Sequence, residues 1–115
     1  MKCLLAVDGG GTKTAVVAFD PSGRIQAQGT FGPSNLQNLG EERCGQVLAN
    51  AVEIVLRQAG SEPDEIEAAC LGLGGLDTDE DLAAYTRIAR RIFGSAAVRV
   101  QLENDGFIAI HTETL

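Results

Sequence analysis

Two short apolar runs, Lys2–Val7 and Thr14–Phe19, are joined by Asp8-Gly9-Gly10-Gly11-Thr12-Lys13. Each run is too short for a helix, and the second is rich in the branched residues that favour strands. The glycine run therefore passes from strand to strand. Dinucleotide fingerprints and Walker loops pass from strand to helix, so neither fits. A plain hairpin turn needing positive φ remains one reading, but it would use only one or two glycines. Three in succession, between an acid and a threonine, point instead to a backbone that a ligand approaches closely. Successive N–H groups in such a loop can cradle phosphate oxygens.

The pattern that follows limits the fold further. "DPSG" at Asp20–Gly23 places proline and glycine where a tight hairpin wants them. Arg24–Phe31 alternates apolar and polar residues, the mark of a half-exposed third strand. From Asn38 to Gly60 the period changes: Cys44, Val47, Leu48, Ala51, Val55 and Ala59 fall at helical spacing, with Gly60 as a natural stop. Glu67–Gly75 reads as a buried strand and Thr78–Gly94 as a second helix. Thr78 is its cap with Asp81 three residues on, acids fill its first turn, and Arg87, Arg90 and Arg91 sit late. Ala97–Glu103 reads as a fifth strand, and Asp105–Leu115 begins a third helix. The order β-β-β-α-β-α-β-α makes the first, fourth and fifth strands parallel, with right-handed crossovers. The third strand is parallel to the first through the antiparallel second.

Four segments then meet on the carboxyl edge of the sheet, where open α/β sheets bind ligands. They are "DGGGTK", "GPSNLQNLG", "GGLDTDED" and "ENDG". Gly9, Gly10, Gly11, Thr12 and Lys13 are the candidate phosphate binders, Thr12 through its hydroxyl. Lys13 is equally compatible with a place near the phosphates and with a solvent-facing strand position. A carboxylate at Asp8 would repel phosphates unless a cation intervened, and a Mg²⁺ held largely through water meets that need. Asp105 follows a strand and opens a helix, so its default is an N-cap. At the cleft edge it is also a candidate general base for a substrate hydroxyl in phosphoryl transfer. Asn35 either makes a turn or offers an amide to a polyol. Gly74 and Gly75 permit close approach, and Gly75 joins Asn35 as a substrate-side candidate. Asp77 reads as turn chemistry, His111 as packed or solvated, and Tyr85 as core or boundary.

A net charge of −7 argues against a nucleic-acid footprint, which would be a basic stripe. Any bound polyanion would have to be met by backbone N–H groups or a metal. Cys3, Cys44 and Cys70 are odd in number and far apart, so they read as free thiols rather than a disulfide frame or zinc site. The start "MKCLLAV" is too short for a signal core or a membrane span, so a cytoplasmic protein without a membrane partner is expected.

The stretches "VDGGGTKTAVVAFDPSG", "GPSNLQNLG", "LGLGG" and "ENDGFIAI" together resemble the N-terminal lobe of the N-acetylglucosamine kinase / BadF-BadG-BcrA-BcrD ATPase family. That family belongs to the actin-like and sugar kinase ATPases. The resemblance covers essentially the whole chain. It implies a ribonuclease-H-like α/β fold, a five-stranded mixed sheet of order 3-2-1-4-5 flanked by helices. It implies Asp8–Thr12 as the first phosphate loop with Thr12 touching ATP, Asn35 as a sugar-binding asparagine, and Asp105 as a catalytic aspartate that also binds the sugar hydroxyl. Two departures are Gly106, where alanine is usual, and Leu36-Gln37, where some eukaryotic members carry an aromatic residue; the sugar's identity stays open. The implied activity is ATP-dependent phosphorylation of an amino sugar with ATP and Mg²⁺ as cofactors. The alternatives are an ATPase activator of a 2-hydroxyacyl-CoA dehydratase or benzoyl-CoA reductase, and a sugar-sensing regulator with a kinase-like domain. Residues 1–115 are expected to be one lobe of a two-lobe protein, inactive alone, with the second lobe absent and homodimer formation left open.

Overall fold

The structure is a computed structural model that describes residues 2–94 and 98–104. Asp105, His111 and the helix expected from Asp105 onward lie outside the described residues.

Strands β1 (Cys3–Gly9), β2 (Thr14–Phe19) and β3 (Ile25–Phe31) form an antiparallel meander. The Asp20 carboxylate closes the β2–β3 hairpin by accepting from the Ser22 and Arg24 backbone N–H groups, both at 3.0 Å. A short helix α1 (Leu36–Leu39) and a long helix α2 (Glu41–Ala59) lead to β4 (Ile66–Leu73), which lies parallel to β1. Helix α3 (Asp79–Phe93) then leads to β5 (Arg99–Asn104), parallel to β4. The sheet order is β3-β2-β1-β4-β5, as the sequence pattern and the family resemblance imply.

The two crossovers run in the same direction across the sheet, so right-handedness puts α2 and α3 on one face. Burial follows the period of two: Cys3, Leu5 and Val7 of β1, Thr14, Val16 and Ala18 of β2, and Ala69, Leu71 and Leu73 of β4 face the helices and are buried. Leu4, Ala6, Val17, Phe19 and Cys70 alternate with them and are half-buried on the other face. Helix α2 contributes Cys44, Leu48, Ala51, Val52, Val55 and Leu56 to the core, and α3 contributes Ala84, Tyr85, Ile88, Ala89 and Phe93. Each fully buried large side chain is worth about 1.5–3 kcal/mol of transfer free energy.

The helix ends are set by local chemistry. Thr78 and Asp81 form the expected reciprocal capping box on α3. Gly60 ends α2 with φ 72°, and the Ser61 N–H reaches back to the Leu56 carbonyl at 3.0 Å. The helical stretch expected from Asn38 onward is interrupted at Gly40, whose φ of 81° is closed to other residues without strain. The residues before it form the separate turn α1, capped by Asn35. All three cysteines are free thiols; Cys3 and Cys44 are buried and Cys70 is half-buried. Among the described residues no helix is long and apolar enough to cross a membrane.

Candidate active site at the carboxyl edge of the sheet

The ends of β1, β3, β4 and β5 share one edge, because all four point the same way. The loops that leave them are laced together by main-chain bonds. The Gly74 N–H donates to the Gly9 carbonyl at 2.7 Å, and the Ser34 N–H donates to the Gly10 carbonyl at 3.1 Å. The glycine turn, the Asn35 loop and the turn after β4 therefore form one continuous surface.

Within the glycine turn, the Gly10 N–H donates to the Lys13 carbonyl at 2.9 Å. None of Gly9, Gly10 and Gly11 has a positive φ, so conformational freedom is not what calls for glycine here. The three positions differ in their surroundings. A Cβ on Gly9 would lie 2.5 Å from Ser34 Oγ and 3.2 Å from Leu73 Cδ2, so that residue is glycine for packing. A Cβ on Gly10 would meet only the Lys13 carbonyl at 3.5 Å, and one on Gly11 only Asn35 Nδ2 at 4.0 Å. Gly10 and Gly11 leave bare backbone facing open space. Thr12 and Lys13 beside them are exposed. Such a surface fits phosphate oxygens. Asp8 is exposed on the face away from the helices, in register with Ala15, Gly72 and, beyond Gly72, Glu103. An exposed carboxylate at this mouth suits a cation that keeps most of its waters, as Mg²⁺ does.

The Asn35 loop is held from beneath by a buried polar cluster. The Thr14 hydroxyl donates to the Gly32 carbonyl at 2.8 Å and is hydrogen-bonded to the Ser34 hydroxyl at 2.7 Å. The Cys44 thiol donates to the Ser34 carbonyl at 3.1 Å. Tyr85, on the buried stripe of α3, donates its hydroxyl to the Gly74 carbonyl at 2.7 Å and accepts from the Leu36 N–H at 3.1 Å. Burial pushes the Tyr85 hydroxyl and the Cys44 thiol above their ordinary pKa values, so both stay protonated donors.

Asn35 itself lies between the two glycine turns. Its Oδ1 accepts from the Gln37 N–H at 2.8 Å and caps α1. A Cβ on Gly75 would come within 3.2 Å of that same Oδ1, and Gly75 also has a φ of 77°. Gln37 spans the rim, donating to Asp81 Oδ1 at 2.8 Å and to the Gly75 carbonyl at 3.3 Å. Desolvation raises the Asp81 pKa, but hydrogen bonds from Asp77, Thr78 and Gln37 outweigh it and keep Asp81 below the ordinary carboxylate value. Asn104, at the end of β5, donates to Asp77 Oδ1 at 3.4 Å.

The structure thus brings Gly10, Gly11, Asn35 and Gly75 together at one edge, with Thr12 and Lys13 alongside. Asp105 follows Asn104 in the chain and lies outside the described residues. Sequence reasoning did not assign Thr14, Ser34, Gln37 or the Tyr85 hydroxyl to this edge. Ser34 and Gln37 lie inside the quoted "GPSNLQNLG", and only their contacts reveal their parts. A surface groove of about 570 Å³, lined by Val52, Arg57, Pro63 and Ile92 among others, sits at the opposite end of the sheet and contains none of these residues.

A sheet of order 3-2-1-4-5 with a strand-to-strand glycine turn at its carboxyl edge defines the actin-like ATPase class of fold. Within that class, residues 5–115 match the model of the BadF/BadG/BcrA/BcrD ATPase family, and the chain belongs to that family. It is 27% identical over 117 residues to an N-acetyl-D-glucosamine kinase of Dictyostelium discoideum, covering 96% of this chain and 36% of that protein. It is 27% identical over 110 residues to an N-acetylmuramic acid/N-acetylglucosamine kinase of Clostridium acetobutylicum, covering 96% of this chain and 35% of that one. A crystal structure from Chromobacterium violaceum, provisionally named as an N-acetylglucosamine kinase, superposes with a TM-score of 0.73 at 26% identity, over 96% of this chain and 37% of that one. The chain therefore spans about a third of the length of each of these relatives.

Proposed function

We propose that the protein to which this chain contributes a lobe transfers the γ-phosphoryl group of Mg²⁺-ATP to a hydroxyl of an amino sugar of the N-acetylglucosamine type. The observation that carries this reading is the placement of Asn35 between Gly11 and Gly75. It puts a side-chain amide beside bare backbone, the pairing that a polyol substrate next to a phosphate calls for. The names of the relatives support the same substrate class.

In this reading the Gly11 backbone N–H and the Thr12 hydroxyl meet phosphate oxygens beside the open face of Gly10, whose own N–H is held by the Lys13 carbonyl, and Lys13 adds positive charge nearby. Asp8 holds Mg²⁺ through water. Asn35, with Gly75 permitting close approach, orients the sugar. Asp105 takes the proton of the attacking hydroxyl and contacts that hydroxyl in the ground state. ATP supplies the phosphoryl group and Mg²⁺ offsets the charge of its oxygens. The protein's own part is positioning and electrostatics, which provide nearly all the catalysis in this chemistry.

Clamping a nucleotide in line with a sugar needs a second lobe to exclude water. Residues 1–115 alone are therefore expected to lack sugar kinase activity. The test is a steady-state assay of the full-length protein with Mg²⁺-ATP and a panel of amino sugars, with Asp105→Asn alongside. Sugar phosphate formation that Asp105→Asn lowers by about 10²-fold or more supports the reading. ATP hydrolysis with no sugar dependence in the wild type would overturn it.

A further inference from the structure

We propose that Tyr85 is a positioning residue for the sugar side of this edge, its hydroxyl fixing the Asn35 loop and the Gly74–Gly75 turn in mutual register. The inference rests on the amino-sugar reading above. Tyr85 is 1% exposed and packs on the apolar stripe of α3, where a phenylalanine would fill the same space. Packing alone therefore gives no reason for the hydroxyl.

The reason lies in what the hydroxyl touches. It donates to the Gly74 carbonyl at 2.7 Å and accepts from the Leu36 N–H at 3.1 Å, and the Ser34 carbonyl lies 3.4 Å away. Ser34 and Leu36 are the two chain neighbours of Asn35, and Gly74 precedes Gly75. One buried oxygen thus joins the backbone on both sides of Asn35 to the turn that faces its side chain. The tolerance is small, since even a Cβ on Gly75 would sit 3.2 Å from Asn35 Oδ1. Gln37 repeats the same link from the solvent side through the Gly75 carbonyl and Asp81. The phosphate side has its own closure, the Gly10 to Lys13 turn, and meets the segments that Tyr85 holds only through the main-chain bonds from Gly74 to Gly9 and from Ser34 to Gly10, whose donors and acceptors Tyr85→Phe leaves in place. Loss of the hydroxyl should therefore disturb the sugar far more than the nucleotide. A hydrogen-bonding group displaced by a fraction of an ångström forfeits much of its effect on a bound substrate.

The test uses the full-length protein and three variants. Tyr85→Phe removes the buried link, Gln37→Ala removes the exposed one, and Val55→Ala is a core truncation remote from the edge. Steady-state kinetics would give KM for both substrates, and hydrogen exchange would report on the loops. Tyr85→Phe is expected to raise the amino-sugar KM about tenfold while the ATP KM stays within about twofold. Gln37→Ala should move the same ratio in the same direction by less, at unchanged Tm. Val55→Ala should lower Tm without changing the ratio. Backbone exchange in 34–37 and 74–76 should rise in Tyr85→Phe relative to 66–71. An unchanged ratio of sugar to ATP KM in both Tyr85→Phe and Gln37→Ala would overturn the proposal and leave the hydroxyl a purely stabilising group. If Tyr85→Phe fails to fold, Gln37→Ala decides alone by the same criterion. A wild-type protein that ignores amino sugars, yet shows the expected exchange pattern, would instead overturn the functional reading and leave the clamp standing.

Discussion

Gly9 and Ser34 are in such close contact that a Cβ on the glycine would lie 2.5 Å from the serine Oγ. The serine cannot simply turn away, because its hydroxyl is hydrogen-bonded to the buried Thr14 hydroxyl at 2.7 Å. Gly9→Ala should therefore destabilise the fold by about 1–3 kcal/mol, the usual cost of overpacking a tight site. Chemical denaturation of wild type and variant would measure it. A change below about 0.5 kcal/mol would mean that the edge can relax around a methyl group.

Gly10 offers the opposite case. A Cβ there meets only the Lys13 carbonyl at 3.5 Å, and its φ is not positive. Gly10→Val should leave the fold intact while its side chain occupies the space a phosphate would need. Circular dichroism and thermal melting should match wild type, and ATP turnover by the full-length protein should be lost. Normal turnover would reduce the glycine run to a hairpin turn.

Asn35 has two parts to separate, a helix cap and a substrate amide. Asn35→Ala loses both; its sugar KM should rise far more than its ATP KM, by about 5- to 150-fold for a lost buried hydrogen bond of 1–3 kcal/mol. Asn35→Asp keeps the capping oxygen and removes the N–H donor. It should melt like wild type and show the same selective loss of sugar. Equal effects on both substrates would take Asn35 off the sugar side.

Glu41 joins the start of α2 to α3, accepting from Arg87 Nε at 3.0 Å and Nη2 at 2.6 Å, and from Arg91 at 3.4 Å. The Arg87 hydrogen bond is the main reason its carboxyl lies below the ordinary 4.5. The folded-state pKa is the lower one, so the stabilisation is complete above the unfolded value. It is lost as pH falls through the depressed folded value. The Tm gap between wild type and Arg87→Gln should be small, constant around neutrality, and close below about pH 4.5. Because the pair is exposed, added salt should narrow it too. A gap that persists at a pH low enough to protonate Glu41 in the folded protein would assign Arg87 a packing role instead.

The strand pattern and the crossover rule were enough to read the strands and their directions from the sequence, since alternation in β3 and helical spacing in α2 and α3 are local signals; the order of the strands came with the family resemblance. The edge was legible as a set of segments, because strand direction decides where their loops emerge. Individual duties were not. Tyr85 falls on the apolar stripe of a helix, and its partners Leu36 and Gly74 are set by packing, with nothing nearby in the chain to mark them. Gly40 sits within a run of helical period, so its interruption of the helix could be read only from its backbone angles. Gly9, Gly10 and Gly11 look equivalent in sequence, yet one is glycine for packing and two face open space.

The bonds from Gly74 to Gly9 and from Ser34 to Gly10 run between main-chain atoms. Replacing the side chains at positions 35–37 or 76–77 removes neither the donor nor the acceptor of these bonds. The edge can thus diverge as a face while persisting as a frame. Surface residues around such a lacing can change without first breaking the fold that carries them.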